Sequence, residues 1–199
     1  WQIKPDEANP LPNLAKDWEW SSDRKSLTMN LIEGARWSDG DIFDTEDIDF
    51  WWNDNVQDAN VASRLPKDAL GAGTTLEILG PYSFKFNFDE PKGNAVLAQL
   101  AYMGGAPGPS HVMKPLHPAH NSDATYESYA NGMPASVLPI VTLGAYVPVV
   151  HKVDELMVMK RNPYYWKVDE ECNQLPYYNE TIYKLTSWDD SCLLYTSPS

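Results

Sequence analysis

Apolar positions along the chain follow two rhythms, one of alternation and one of helical spacing, and the switches between them mark out its elements. Trp18 and Trp20, then Leu27, Met29 and Leu31, alternate with polar residues on either side of a polar stretch at 21–25, which predicts a β-hairpin over residues 17–32. A second hairpin is expected over 74–79 and 82–88, turning at Gly80-Pro81. Tyr82, Phe84, Phe86 and Phe88 point one way along its second arm, with Ser83, Lys85 and Asn87 opposite. Such a stripe is expected to be core, although four rings in a row also read as a stacking platform for sugars or bases. Residues 145–152 and 155–160 predict a third hairpin, and 180–188 a last strand.

Helical spacing is clearest over residues 34–56, the stretch around which the chain is organised. Ser38-Asp39-Gly40-Asp41 is turn chemistry, because Asp bonds its own backbone and Gly tolerates a positive φ. Asp44 is a good N-cap, Glu46 and Asp47 place negative charge in the first turn, and Phe43 with Ile48 has staple spacing. Ile48, Trp51, Trp52 and Val56 then form one buried face, with Trp37 expected in the same core.

Elsewhere the rhythm is weaker. Residues 1–16 carry three prolines and read as an extended lead-in, and 54–73 as irregular. A short helix is expected over 93–102, with Val96, Leu97, Leu100 and Ala101 on one side, followed by a Gly/Pro-rich crossing at 103–115. Residues 122–131 suggest a weak helix capped by Ser122 and stopped by Gly132, and 161–178 a long loop.

Composition narrows the class without choosing a function. With 43% hydrophobic and 22% charged residues in 199, the chain suits one large or two small globular domains. Its net charge of −13 disfavours nucleic acid and anionic membrane surfaces as partners. Cys172 and Cys192 make neither a disulfide framework nor a CxxC metal site. The chain opens at Trp1 with no signal-peptide pattern, and residues 191–199 read as a tail foreign to the fold, which leaves Cys172 as the one credible cysteine.

Candidate chemistry is sparse. An EF-hand reading of 35–46 fails, since Ala35 and Trp37 would stand at the first and third ligand positions. His117 and His120 have a spacing that could ligate a metal on a turn, but Pro118 intervenes and a third ligand is lacking, so solvated or structural histidines are expected. Nucleophile-elbow, phosphate-loop, dinucleotide and zincin motifs are absent from the sequence. No catalytic residue, metal or cofactor is expected.

Four motifs taken in order resemble the family 5 extracellular solute-binding proteins, over roughly residues 11–188. They are Leu14-Ala15-Lys16-Asp17-Trp18-Glu19 with Asp23; Trp37-Ser38-Asp39-Gly40 followed by Thr45-Glu46-Asp47-Ile48-Asp49-Phe50; Gly144-Ala145-Tyr146, with Gly80-Pro81-Tyr82-Ser83-Phe84 at another strand; and Arg161-Asn162-Pro163-Tyr164-Tyr165-Trp166 leading to Pro176-Tyr177-Tyr178 and Asn179-Glu180-Thr181-Ile182. One departure is Cys172, where relatives with this extended loop tend to carry Gly.

The resemblance implies an α/β fold of the type II periplasmic-binding-protein kind, α+β in an accessory subdomain, with antiparallel hairpins and short helices making part of the first lobe. Residues 1–108 would be that subdomain and 109–190 an incomplete ligand-facing part, with the second lobe absent. It implies a substrate-binding protein of an ABC importer, a monomer that captures a peptide or similar small solute outside the membrane and passes it to permease subunits. The place would be periplasmic or extracellular, with lipoprotein anchoring left open. Tyr102, Met103, Gly104 and Gly105, with Leu143 and Tyr146, are the expected ligand contacts, because they should border the cleft. Within the family, an oligosaccharide or a nickel complex is the alternative ligand. Outside it, the rival is a secreted hydrolase or carbohydrate-binding module using some of the eight tryptophans as sugar platforms.

Overall fold

The computed structural model describes residues 2–3, 10–63, 65–102, 107–130 and 138–186. It comprises two compact units, Trp1–Ala35 with Asp41–Gly132, and Arg36–Gly40 with Met133–Ser199. Helix and sheet are mixed, and every described strand pair is antiparallel. Among the described residues no helix is long and apolar enough to cross a membrane.

In the first unit, β1 (Gln2–Ile3) pairs with β2 (Pro10–Leu11) within the segment expected to be a plain lead-in. Its main sheet has the order β3-β4-β6-β5, with β3 at Ala15–Trp20, β4 at Ser26–Leu31, β5 at Thr75–Gly80 and β6 at Ser83–Asn87. Both expected hairpins are therefore present, and they join through their inner strands. Leu27 lies opposite Phe86 and Met29 opposite Phe84, so period-2 alternation sends all four to one face, where they are buried. Phe84, Phe86 and Phe88 are core, as their alternation predicts. Burying each phenyl ring stabilises by about 1.5–3 kcal/mol.

The organising helix covers this sheet. Helix α1 (Thr45–Phe50) starts in a capping box: Asp44 accepts from the Glu46 amide and the Asp47 carboxylate accepts from the Asp44 amide. Trp52 lies 5.0 Å from the Phe86 ring, edge to face, and Ile48, Trp51 and Val56 are buried too. Over Trp51–Val56 the helix widens to a π-helix, where simple continuation of the α-helical spacing was expected. Trp37 is buried but belongs to the second unit, not to the unit that holds Ile48, Trp51 and Trp52. The reason is local: its turn is tied to residues near 142.

Helix α2 (Ala95–Tyr102) buries Val96, Leu97 and Leu100 as expected. From residue 107 on, the crossing is more regular than its Gly and Pro content suggests. It contains α3 (Ser110–Met113) and a 3₁₀ turn over Lys114–Leu116, because the buried Asp47 carboxylate accepts the Ser110 amide at 2.8 Å and fixes the first turn. Helix α4 (Tyr126–Ala130) starts later than expected. Asn121 holds a turn by accepting the Asp123 amide, and the Thr125 hydroxyl, not Ser122, accepts the Ser128 amide at 3.2 Å. The expected stop at Gly132 lies outside the described residues, as does the tail at 191–199.

The second unit is a three-stranded sheet of order β7-β8-β9, with β7 at Tyr146–Lys152, β8 at Leu156–Arg161 and β9 at Glu180–Lys184. The third hairpin and the last strand are as expected in kind, although β9 ends at Lys184. Val147 is buried, while Val150, Val153, Ile182, Tyr183 and Leu185 are exposed.

Candidate functional site

Three of the sequence motifs meet in the second unit. The Ser38 amide donates to the Thr142 carbonyl at 3.0 Å, and the Ser38 hydroxyl accepts the Thr142 amide at 3.0 Å. Thr142 Oγ1 in turn accepts the Gly144 amide at 3.0 Å. From the other side, fully buried Asn162 donates through Nδ2 to the Gly144 carbonyl and through its backbone amide to the Ala145 carbonyl, each at 2.9 Å. Its Oδ1 accepts the Tyr164 amide at 2.9 Å, an Asx turn that sets Pro163 and Tyr164 in place. A buried amide side chain needs such partners, which explains why Asn stands before Pro here.

The Trp37-Ser38-Asp39-Gly40 turn closes when the Gly40 amide donates to the Trp37 carbonyl at 2.9 Å. Gly40 has φ +98°, and a Cβ there would lie 3.2 Å from the Tyr164 ring, so both conformation and space call for glycine. Leu143 and Tyr146, two of the expected ligand contacts, are half-buried on the backbone that these bonds pin. Tyr146 opens β7 opposite Arg161. Arg161 is oriented by Gln174, whose amide also donates to the Pro163 and Tyr165 carbonyls. Tyr102 ends α2 in the first unit; Met103, Gly104 and Gly105 lie outside the described residues.

Sequence reasoning saw only the two histidines of a second constellation, in the first unit. His117 is fully buried, and the edges or faces of Phe50, Tyr126 and Tyr129 surround its ring with centroids 6.0, 5.7 and 4.5 Å away. Its Nδ1 accepts the Ala119 amide at 3.1 Å, which places the proton of the neutral ring on Nε2. That Nε2 is buried without a hydrogen-bond partner, 3.8 Å from Asp58 Oδ2. An unsatisfied buried donor costs about 1–3 kcal/mol. His120 Nε2 lies 3.1 Å from Asp54 Oδ2, and ligand atoms of Asp54, His117 and His120 all fall within 4.8 Å of one another.

The third donor that the histidine spacing lacks therefore comes from the π-helical segment, some sixty residues upstream. The only local signal was acids at 54 and 58, four residues apart. Tyr126 donates to Asp58 at 2.7 Å, and Tyr129 donates to Asn55. Burial, with the charges of Asp54 and Asp58 adding to it against the Asn55 bond, pushes the Tyr129 hydroxyl up to about 12. Partial burial of Asp58 opposes its ionisation, but the Asn60 amide, Tyr126 and Asn60's side chain outweigh that and hold it below the usual carboxylate range.

Comparison with known proteins places the chain. The family described as bacterial extracellular solute-binding proteins, family 5 middle, matches residues 9–193. This chain belongs to that family. A periplasmic α-galactoside-binding protein of Rhizobium meliloti (strain 1021) is 47% identical over 96% of this chain and 28% of its own length. The periplasmic oligopeptide-binding protein OppA of Salmonella typhimurium is 27% identical over 80% of this chain and 29% of its own. The periplasmic binding protein MelB of Agrobacterium fabrum C58, solved in complex with stachyose, superposes with a TM-score of 0.86 at 43% identity, covering 96% of this chain and 29% of that one. The chain thus spans under a third of the length of the relatives it matches. The family and its fold agree with what the sequence implies.

Proposed function

We propose that the chain is part of the solute-capturing component of an ABC importer, working outside the cytoplasmic membrane, and that its solute is an α-galactoside oligosaccharide. The observation that carries the reading is the gradient of identity. It is 47% to the α-galactoside-binding relative, against 27% to the oligopeptide-binding one, and the relative at 43% was solved with stachyose. The peptide ligand implied by the sequence motifs is the finer reading given up here.

Residue chemistry points the same way. Stretches 93–110 and 138–150, which carry Tyr102, Met103, Gly104 and Gly105 and then Leu143 and Tyr146, contain no Asp, Glu, Lys, Arg or His. A peptide brings two charged termini that need charged partners when they are desolvated, whereas a neutral sugar is served by aromatic faces and neutral polar groups. Tyr146 is the ring we assign to that task.

On this reading residues 1–108 form the accessory subdomain and 109–190 the start of the ligand-facing part. Ligand bound to both lobes favours the closed state, and the closed state is what the permease receives. The protein acts as a monomer and breaks no bond, so no residue is assigned a catalytic role. The test is thermal unfolding of a protein of the relatives' full length carrying this chain, with stachyose, mixed oligopeptides and a nickel complex added separately. Stachyose at a hundred times its dissociation constant should stabilise by about 2.7 kcal/mol, and a shift with peptide alone would overturn the ligand assignment.

A further inference from the structure

We propose that Asp54, His117 and His120 form a binding site for a borderline divalent cation such as Zn²⁺, which clasps the π-helical segment to the 117–121 turn. All the residues involved lie in the first unit. The site is independent of the solute reading above.

The donor set is two imidazoles and a carboxylate, which suits zinc or its neighbours in the first transition row better than calcium or magnesium. The spacing also fits. Tetrahedral bonds of 2.0–2.1 Å put ligand atoms about 3.3 Å apart. His120 Nε2 and Asp54 Oδ2 are already 3.1 Å apart, and the full set lies within 4.8 Å, so the turn must close by little more than an ångström. Asp58 Oδ2, 3.8 Å from His117 Nε2, stands ready as a fourth ligand or as an acceptor for bound water.

The second, independent observation is the state of His117. Its Nε2 is completely buried, has no hydrogen-bond partner, and faces the carboxylates. Aromatic rings on three sides hold it in that direction. Coordination balances in protons as follows. The Nε2 proton leaves to Nδ1, so Nδ1 changes from acceptor to donor, and the Ala119 amide it had accepted is released. Ala119 is exposed, so water takes that amide. The exchange satisfies Nε2 but leaves Nδ1 a buried donor facing the Ala119 amide, so the 117–119 turn must shift to give Nδ1–H an acceptor, a cost that the bond to the cation has to exceed.

The surroundings favour a cation, since Asp54 and Asp58 each bring a carboxylate to the two imidazoles. His120 is more than a third exposed, which leaves an entry path. Asp54 lies on the π-helical segment, and insertions of this kind recur at functional sites.

The experiment is calorimetric titration of the chelator-treated protein with Zn²⁺, repeated for Asp54→Asn and His120→Gln, both partly exposed positions that leave the aromatic cage intact. Cobalt(II) absorption and the His117 tautomer by nitrogen-15 NMR are read in parallel. The expected result is one equivalent bound at roughly micromolar or better affinity. Each variant should weaken it at least about tenfold, as loss of even an outer-shell partner does. Cobalt should give tetrahedral bands, and the His117 proton should move from Nε2 to Nδ1. Weaker binding, an unchanged His117 tautomer, or binding that both variants leave intact would each overturn the site.

Discussion

Ser38 and Thr142, 104 residues apart, hold each other by two reciprocal hydrogen bonds of 3.0 Å. Through this pair the Trp37-Ser38-Asp39-Gly40 turn, early in the chain, is built into the second unit, while its sequence neighbours on either side belong to the first. Ser38→Ala removes the acceptor for the Thr142 amide and should cost about 0.5–1.5 kcal/mol in denaturant unfolding. Amide exchange at Thr142 should quicken in the same variant. Unchanged exchange would mean that the serine hydroxyl does not hold the junction.

Gly40 offers a sharper test of that turn. Alanine there meets a φ of +98° and a ring carbon of Tyr164 at 3.2 Å. Gly40→Ala should destabilise by more than about 1 kcal/mol. Adding Tyr164→Ala should return only the share due to the ring, since the backbone strain stays. Full rescue by the second change would show that conformation contributes nothing.

Asp47 serves two helix starts at once. It accepts the Asp44 amide to complete the capping box of α1, and the Ser110 amide that starts α3. Asp47→Ala should therefore cost about 2–4 kcal/mol, a lost cap plus a buried amide left without its charged partner. Asp44→Ala loses only a cap and should cost about 1 kcal/mol. Equal costs for the two, measured by chemical denaturation, would sever the link to α3.

The 169–177 loop carries a pH signature. The Tyr177 hydroxyl at 2.6 Å, then the Asn173 amide, lower the Asp169 carboxyl from the ordinary 3.8 to about 2. Because the folded value lies below the unfolded one, the contribution is complete above about pH 4 and is lost as pH falls through about 2. An NMR titration of Asp169 should show this midpoint, and Tyr177→Phe should raise it. A midpoint that ignores Tyr177→Phe would remove the assigned cause.

Local rhythm carried much of this fold. The hairpins at β3–β4 and β5–β6 were legible because Leu27, Met29, Phe84 and Phe86 alternate, and alternation fixes which face is buried. Asp44 and Asp47 marked a helix start through side chains only three residues apart. What stayed hidden depends on partners far along the chain. Trp37 could not be assigned to its unit without Thr142, nor α3 expected without Asp47. Periodicity over Ile48, Trp51, Trp52 and Val56 located the buried face but did not reveal the widening to a π-helix. Cys172 sits at φ +65°, which explains why glycine suits that loop position.

The expected solute contacts were legible only as stretches bordering loops. Leu143 and Tyr146 lie on a firmly bonded junction, but that bonding comes from Ser38 and Asn162, which the spacing of 143 and 146 does not reveal. The histidine cluster was half legible. His117 and His120 have a suggestive spacing, while Asp54 joins them only once the π-helical segment is folded against their turn.

The most direct measurement of the account as a whole is calorimetry on a chimera. Residues 9–193 would replace the matched segment of the Rhizobium meliloti α-galactoside-binding protein, and stachyose and oligopeptides would be titrated in turn. A folded chimera should keep stachyose affinity within about tenfold of its parent, a change of no more than about 1.4 kcal/mol. A folded chimera that loses stachyose by more than about a hundredfold, or takes up oligopeptide in its place, would contradict the assignment of this segment to an oligosaccharide-binding member of family 5.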